Sequence, residues 1–268
     1  MPLTLHQPKA MVGIIDRPII HYIIDEVVAA GIKDITLIVG REQSQKHFSQ
    51  YLAYLKKDRE WQGIRFRSVI QEKPLGNGHA ILSARRIVGQ EPFLLLWSDD
   101  IMAPQSNTRP AMAQLIELYE KLKAPIIAIE AFPWKDVSRM GVVDAIRIPR
   151  SPRLYEIKGL IEKPPRNKAP SNLTIGGRYV ITPDIIQNLE TLLRQKKFKA
   201  GELWLTDALA LRLKKGKPIY GWRYPNLRFD CGSKIGIAKA QAYFALHHQE
   251  FRNEFRRYLK RVIRQNPS

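Results

Sequence analysis

The chain has 268 residues, of which 44% are hydrophobic and 26% charged, and this balance is typical of a globular protein with a sizeable core. It excludes collagen-like and intrinsically disordered chains, and no run approaches the roughly 20 apolar residues of a membrane-spanning helix. The net charge of +19 attracts polyanions, so nucleotides, nucleic acids and anionic membranes all qualify as ligands.

The first half of the chain shows an alternation of predicted helices and strands. An apolar stripe predicts a helix over 18–30, and apolar runs predict strands at 35–39, 64–69, 93–97 and 126–130. Helices are predicted between these strands at 45–55, 79–88 and 111–122. Such an alternation is typical of a doubly wound parallel sheet.

Strands dominate after Gly141, and the pattern changes there. They are predicted at 142–148, 154–161 and 175–181 without long helices between them, which indicates an antiparallel extension. The remaining predicted elements are helices at 183–194 and 203–214, a strand at 219–224, and helices at 233–248 and 250–264. We therefore expect one α/β domain over residues 1–248 and a separate basic helix over residues 249–268.

Polar residues directly after strands are candidates for a binding site, because ligands of open α/β sheets bind beyond the carboxyl ends of the strands. Gln71 follows the strand at 64–69 and begins a turn that contains Gly76 and Gly78. The glycines allow the backbone to approach a ligand closely, and the amide can bind the edge of a base. A plain strand-to-helix turn is the competing interpretation.

Carboxylates follow two other predicted strands. A carboxylate of Asp99 or Asp100, and that of Asp230, suits Mg²⁺, which proteins usually hold with one or two carboxylates plus substrate phosphates. Helix capping is the alternative for an aspartate in such a position. Glu162 and Lys163 end a further strand, where they offer an acceptor for sugar hydroxyls and a compact positive charge for a phosphate, or simply a surface ion pair.

Nine short motifs occur in a fixed order along the chain. They lie at 8–11 (PKAM), 14–32, 71–80 (QEKPLGNGHA), 98–101 (SDDI), 136–144 (DVSRMGVVD), 161–164 (IEKP), 169–183, 201–209 (GELWLTDAL) and 229–236 (FDCGSKIG). In this order they resemble the bacterial UTP:glucose-1-phosphate uridylyltransferases, within the sugar-phosphate nucleotidylyltransferases. The resemblance implies a Rossmann-like, doubly wound mixed sheet of the nucleotide-diphospho-sugar transferase type, with its first strand missing.

The resemblance implies an enzyme that transfers a uridylyl group from UTP to glucose 1-phosphate with the help of Mg²⁺, giving UDP-glucose and pyrophosphate. The implied contacts are Gln71 and Gly76 to uracil, Lys9 to the UTP phosphates, Asp99 and Asp230 to the metal, Gly141 and Glu162 to the hexose, and Lys163 to the sugar phosphate. The implied catalytic residues are Lys9, Asp99, Lys163 and Asp230. Homo-oligomers are common in the family, so a homo-oligomer is one expectation.

The chain departs from the family pattern in two ways. A first strand and a glycine-rich loop of the form G-x-G-T-R would precede Met1. Five positions carry Leu5, Ala10, Met140, Trp204 and Ser233, where the family has Lys, Glu, Tyr, Gln and Asp. Two explanations are open: the true start lies upstream, or the chain is a degenerate, non-catalytic paralogue that binds nucleotide, nucleic acid or a protein partner.

The C-terminal helix is amphipathic and strongly basic. One face carries Phe251, Phe255, Tyr258, Leu259, Val262 and Ile263, and arginine and lysine occupy most of the rest. Packing of the apolar face on the protein's own body or across a dimer is expected. Binding to an anionic membrane or to RNA is the alternative, and no recognised RNA-binding motif supports the latter.

The expected compartment is the cytoplasm. The single cysteine, Cys231, cannot form a disulfide within the chain. The first residues also lack the charged and apolar regions of a secretory signal.

Overall fold

The computed structural model describes residues 8–40, 43–103, 109–198, 201–225 and 227–265. Two compact units are present in these parts of the chain. The first combines the described portions of residues 1–25, 98–103 and 227–268, and the second those of residues 26–97 and 104–226. Leu5, one of the five departures from the family pattern, lies outside the described residues.

A six-stranded mixed sheet forms the centre of the second unit. In chain order its strands are β5 (Phe93–Leu96), β7 (Ile126–Ala131), β8 (Gly141–Arg147), β9 (Leu154–Glu162), β10 (Leu173–Ile181) and β11 (Tyr220–Arg223). Their spatial order is β5-β10-β7-β11-β9-β8. Strands β7 and β11 are parallel, whereas β8 and β9 form an antiparallel pair, as the predicted extension requires.

The position of β10 differs from the prediction. This strand lies between β5 and β7 and is antiparallel to both, so it is part of the interior of the sheet and not of an extension. Eight of its nine residues are buried, which is the burial expected of a strand covered on both faces. The sequence of β10, LTIGGRYVI, includes Thr174 and Arg178, and it carries no information about the strand's neighbours.

A separate parallel pair, β3 (Asp34–Gly40) and β4 (Arg65–Gln71), belongs to the same unit. Helix α2 (Gln43–Lys57) connects the two strands, which makes them a βαβ unit. Within the described ranges, no strand joins this pair to the six-stranded sheet. The predicted alternation of strands and helices is confirmed, but it is distributed over two sheets.

The helices begin and end close to the predicted positions, with one exception. They are α1 (Ile19–Ala29), α3 (Asn77–Ser83), α4 (Arg85–Val88), α5 (Ala111–Leu122), α6 (Pro183–Arg194) and α7 (Leu205–Lys214). The exception is the single helix predicted over 79–88, which is interrupted at Ala84 and forms α3 and α4. The second unit's core includes the fully buried side chains of Ile127, Leu189 and Leu209.

A buried ion pair links α1 to β10 inside the second unit. The Arg178 side chain is fully buried, and its Nη2 and Nε donate to Glu26 Oε2 at 2.8 and 3.1 Å. The same guanidinium also donates to the carbonyl oxygen of Gly177. A buried guanidinium needs such partners, because removing it from water is costly. Sequence reasoning assigned no role to either charged residue.

The described elements of the first unit include two short ladders, residues 19–25 of α1 and two complete helices. The ladders are β1 (Gly13–Ile14) with β2 (Arg17–Pro18), and β6 (Asp100–Met102) with β12 (Arg228–Asp230), and the helices are α8 (Lys234–His247) and α9 (Arg252–Gln265). Strands of two or three residues show no hydrophobic periodicity, so β1, β2, β6 and β12 were not predicted. Tyr22 packs on Phe244 of α8, with ring centroids 4.3 Å apart.

Helix α9 has an exposed basic surface. It packs on α8, yet none of its residues is fully buried, and the four apolar residues in the middle of its apolar face are half-buried. Tyr258 and Ile263, at the two borders of that face, are exposed. The domain boundary predicted between residues 248 and 249 stays a prediction. No helix among the described residues is long and apolar enough to cross a membrane.

Candidate active site

The predicted site residues divide between the two units. The first unit carries Lys9, Asp99 and Asp230, and the second carries Gln71, Gly76, Gly141, Glu162 and Lys163. Three of the polar residues are the last residues of their strands: Gln71 of β4, Glu162 of β9 and Asp230 of β12. The expectation that polar site candidates follow strand ends is met at these positions.

In the first unit, the β6–β12 ladder brings Asp99 and Asp230 together. Asp230 pairs with Asp100 in this ladder, and the backbone N–H of Cys231 donates to the carbonyl oxygen of Asp99 at 2.8 Å. A Cβ atom placed on Gly232 would lie 2.9 Å from Asp230 Oδ1 and 3.0 Å from Asp99 Oδ2. The two carboxylates therefore border one small space, which the absence of a side chain on Gly232 keeps open.

The neighbouring aspartates, Asp99 and Asp100, have different surroundings. Both carboxylate oxygens of Asp100 accept from Arg228 Nε, at 2.7 and 2.8 Å, so this buried charge is neutralised within the protein. Burial, followed by the charges of Asp100 and Asp230, raises the pKa of Asp99, whereas the Lys9 ammonium acts in the opposite direction. Asp99 is thus a half-buried carboxyl whose charged form a nearby cation would favour.

The donor set around Asp99 fits a magnesium ion in part. Two carboxylates that border the same space are the usual protein contribution to a Mg²⁺ site that is completed by substrate phosphates and water. Among the described residues, no cluster of three or more His, Cys, Asp or Glu side chains is present that could hold a metal by itself. The arrangement suits a metal that binds together with a phosphate.

In the second unit, Gln71 and Gly76 belong to one closed loop. Gln71 Nε2 donates to the carbonyl oxygen of Gly76 at 3.1 Å. Gly76 has a φ of +94°, and a Cβ there would lie 2.6 Å from the carbonyl oxygen of Leu203. Glycine is therefore required at this position by the protein's own backbone. The sequence predicted that the glycine lets the backbone approach a ligand, whereas the close neighbour in the structure is the backbone of Leu203.

Glu162, Lys163 and Gly141 meet at one end of the β8–β9 pair. Gly141 lies opposite Glu162 in the ladder, and a Cβ on Gly141 would lie 3.2 Å from Glu162 Oε2. Glu162 Oε2 accepts from Thr206 Oγ1 at 2.6 Å. Lys163 adopts a left-handed backbone conformation with a φ of +44°, and its N–H donates to the carbonyl oxygen of Met140.

The sequence left open that Glu162 and Lys163 form only a surface ion pair. In the structure, the two side chains have other partners. The Lys163 ammonium lies over the Trp204 ring, 5.6 Å from its centroid, and the Glu162 carboxylate accepts from a hydroxyl. Lys123 and Lys196 share the left-handed conformation of Lys163, so the conformation by itself does not mark a functional residue.

Three residues hold the predicted ones in place through contacts that the sequence did not predict. They are Thr206, which donates to Glu162, Trp204, which contacts Lys163, and Asn77, whose Oδ1 accepts from the N–H of Leu205 at 2.8 Å. Thr206 and Trp204 lie within the GELWLTDAL motif, and Asn77 lies within QEKPLGNGHA. The motifs were therefore recognised as stretches, but the contacts between them become visible only in the fold.

Comparison with known proteins gives consistent matches. The nucleotidyl transferase family profile matches residues 1–242. A UTP–glucose-1-phosphate uridylyltransferase of Staphylococcus haemolyticus is 34% identical over 98% of this chain and 93% of its own length.

Two solved structures share the fold. One is a UDP-glucose pyrophosphorylase in complex with UDP-glucose, which has a TM-score of 0.82, 32% identity, and coverage of 90% of this chain and 91% of the other. The second is a UTP-bound enzyme of the same type from Acinetobacter baumannii, with a TM-score of 0.81, 32% identity, and coverage of 97% and 93%. The chain belongs to the nucleotidyl transferase family and is a relative of the bacterial UTP–glucose-1-phosphate uridylyltransferases.

Proposed function

We propose that the protein transfers a uridylyl group from UTP to glucose 1-phosphate and releases UDP-glucose and pyrophosphate. The observation that carries this proposal is the pair of carboxylates, Asp99 and Asp230, that border one space beside Gly232. The names of the similar proteins, and the UTP and UDP-glucose in two of their structures, support the choice of substrates. They also make the non-catalytic alternative the less favoured one.

In the proposed reaction, a phosphate oxygen of glucose 1-phosphate attacks the α-phosphorus of UTP. A new P–O bond forms, the bond between the α- and β-phosphates breaks, and its electron pair leaves with pyrophosphate. Asp99 and Asp230 would hold Mg²⁺, which supplies positive charge to neutralise the phosphates when it is bound. We propose that Lys9, whose ammonium acts on Asp99, contributes positive charge to the UTP phosphates.

The second unit supplies the proposed contacts to the base and the sugar. Gln71, held by the carbonyl of Gly76, is proposed to recognise uracil, and its position at the end of β4 supports this role. Glu162 and Gly141 are proposed to contact the hexose, and Lys163 its phosphate. Thr206 fixes the Glu162 carboxylate by a 2.6 Å hydrogen bond, which limits the directions from which a sugar hydroxyl can approach.

The experiment that tests the proposal is a pyrophosphate-release assay with the full chain, UTP, glucose 1-phosphate and Mg²⁺. We expect release that depends on all three additions, together with formation of UDP-glucose. A parallel reaction with dTTP measures base selectivity, which the described contacts do not determine. Absence of pyrophosphate release with either nucleotide, combined with retained UTP binding, would instead support the non-catalytic alternative.

The proposed setting is the cytoplasm, where both substrates are soluble metabolites. The buried, single Cys231 is compatible with a reducing compartment. A homo-oligomer stays a prediction that sedimentation of the purified protein would test.

A further inference from the structure

Segment 202–206 joins the two groups of predicted residues within the second unit. On one side it is fixed to the loop that contains Gly76. The N–H of Leu203 donates to the carbonyl oxygen of Leu75 at 2.8 Å, and the N–H of Gly78 donates to that of Leu203 at 2.9 Å. Asn77 Oδ1 accepts from the first N–H of α7, that of Leu205, at 2.8 Å. The segment therefore has a well-defined backbone position.

On its other side, the same segment contacts the end of β9. Thr206 donates to Glu162, and the Trp204 ring lies 5.6 Å from Lys163 Nζ. The indole is itself fixed, because Trp204 Nε1 donates to Glu202 Oε2 at 2.7 Å. Two residues of this segment, Thr206 and Trp204, thus contact Glu162 at the end of β9 and Lys163 directly after it.

The position of the Lys163 side chain depends on such a contact more than that of the Glu162 side chain does. Its side chain is exposed, and a lysine stem has four rotatable bonds that leave the ammonium free to move when nothing restrains it. The face of an indole attracts an ammonium through the ring quadrupole and so limits the positions of Nζ. Leucine or glutamine in place of Trp204 lacks that face.

We propose that Trp204 is a positioning residue, whose indole face holds the Lys163 ammonium where it meets the phosphate of the sugar phosphate. This inference rests on the proposed function, because it takes Lys163 as the group that contacts that phosphate. According to this inference, Trp204 affects the binding of the sugar phosphate and does not affect the binding of UTP.

The test compares Trp204→Leu with Trp204→Phe in the full chain. Leucine keeps apolar volume without a π face, whereas phenylalanine keeps the face. We expect Trp204→Leu to raise the KM for glucose 1-phosphate by about threefold to thirtyfold, the range between an exposed and a desolvated cation–π contact. The KM for UTP and kcat stay close to those of the parent. The KM of Trp204→Phe for glucose 1-phosphate should stay close to that of the parent.

Trp134→Leu is the matched control, because Trp134 is another tryptophan of the second unit and is 45% exposed. Calorimetric titrations of the parent and each variant with UDP-glucose and with UTP provide a second readout that needs no turnover. We expect weaker UDP-glucose binding and unchanged UTP binding for Trp204→Leu, and no change for Trp134→Leu.

The outcomes separate this inference from the proposed function. If the parent binds UDP-glucose but releases no pyrophosphate, the proposed function fails, and the titrations alone decide the role of Trp204. Equal losses in Trp204→Leu and Trp204→Phe, or a parallel loss of UTP binding, would overturn the positioning role. A parent that does not bind UDP-glucose would overturn both.

Discussion

At the scale of single residues, partners decide what each carboxylate can do. Asp99 and Asp100 are adjacent in the sequence and are chemically identical, so the pattern alone does not separate them. Arg228 occupies both oxygens of Asp100, whereas Asp99 borders the space beside Gly232 together with Asp230. This difference favours Asp99 over Asp100 as the proposed metal ligand.

Replacing either proposed metal ligand has a defined effect on turnover. We expect Asp99→Asn and Asp230→Asn each to lower Mg²⁺-dependent turnover by about 100-fold or more, because the bound cation supplies several kcal/mol of charge stabilisation. The melting temperature stays close to that of the parent, since asparagine keeps the volume and removes like-charge repulsion. Pyrophosphate release and thermal denaturation followed by circular dichroism measure the two effects. Asp58→Asn is the control, and full activity of either site variant would exclude that carboxylate from the mechanism.

Gly76 provides a test of backbone strain at the second unit's loop. Gly76→Ala combines a left-handed φ of +94° with a Cβ only 2.6 Å from the Leu203 carbonyl oxygen. We expect it to lower the free energy of unfolding by about 2 kcal/mol or more. Gly63→Ala has a similar φ of +86° and no neighbour within 4 Å of the added Cβ, so it should lose only about 1 kcal/mol. Urea unfolding compares the two, and equal losses would remove the Leu203 contact as a cause.

At the scale of elements, strand pairing determines which residues meet. The two-residue and three-residue ladders of the first unit are too short for a sequence pattern, yet the β6–β12 pair places Asp100 opposite Asp230. The interior position of β10 likewise depends on partners distant in the sequence. Pairing between distant segments has no local signal, so the longer strands were predicted from the sequence but their order was not accessible to it.

The buried pair of Arg178 and Glu26 tests the link between α1 and β10. We expect Glu26→Gln to lower the free energy of unfolding by about 3 kcal/mol, because it removes the carboxylate charge that contacts the fully buried guanidinium. The double variant Glu26→Gln, Arg178→Met removes the buried charge and should recover part of the loss. Chemical unfolding of both variants measures the coupling. A double variant less stable than Glu26→Gln would contradict this account.

At the scale of the whole molecule, the net charge of +19 is the dominant property. Part of it lies on the exposed side of α9, where Arg256, Arg257 and Lys260 are all exposed. Such a surface binds polyanions through counterion release, independently of a nucleotide site. General affinity for heparin or nucleic acid is therefore weak evidence for a nucleic-acid function.

Charge reversal on α9 separates this surface from the proposed active site. We expect the triple variant Arg256→Glu, Arg257→Glu, Lys260→Glu to elute from a heparin column at clearly lower salt than the parent, with turnover unchanged. The control reverses Lys56, Lys57 and Arg59, which are also exposed and change the net charge equally. Identical elution of the two triple variants would show that only net charge matters.

The sequence by itself determined the class of fold, nearly all long elements and the residues worth examining. These features depend on local information: apolar periodicity defines helices and strands, and polar residues at strand ends mark candidate sites. The ordered motifs determined the family for the same reason, since each is a short continuous stretch.

The tertiary structure decided what the residues do to one another. It separated Asp99 from Asp100 through Arg228, showed that Gly76 is required by the Leu203 backbone, and placed Trp204 and Thr206 against Lys163 and Glu162. Each of these facts joins segments that are dozens of residues or more apart in the chain. Their contacts arise from the packing of sheets and helices, which no local pattern of amino acids encodes.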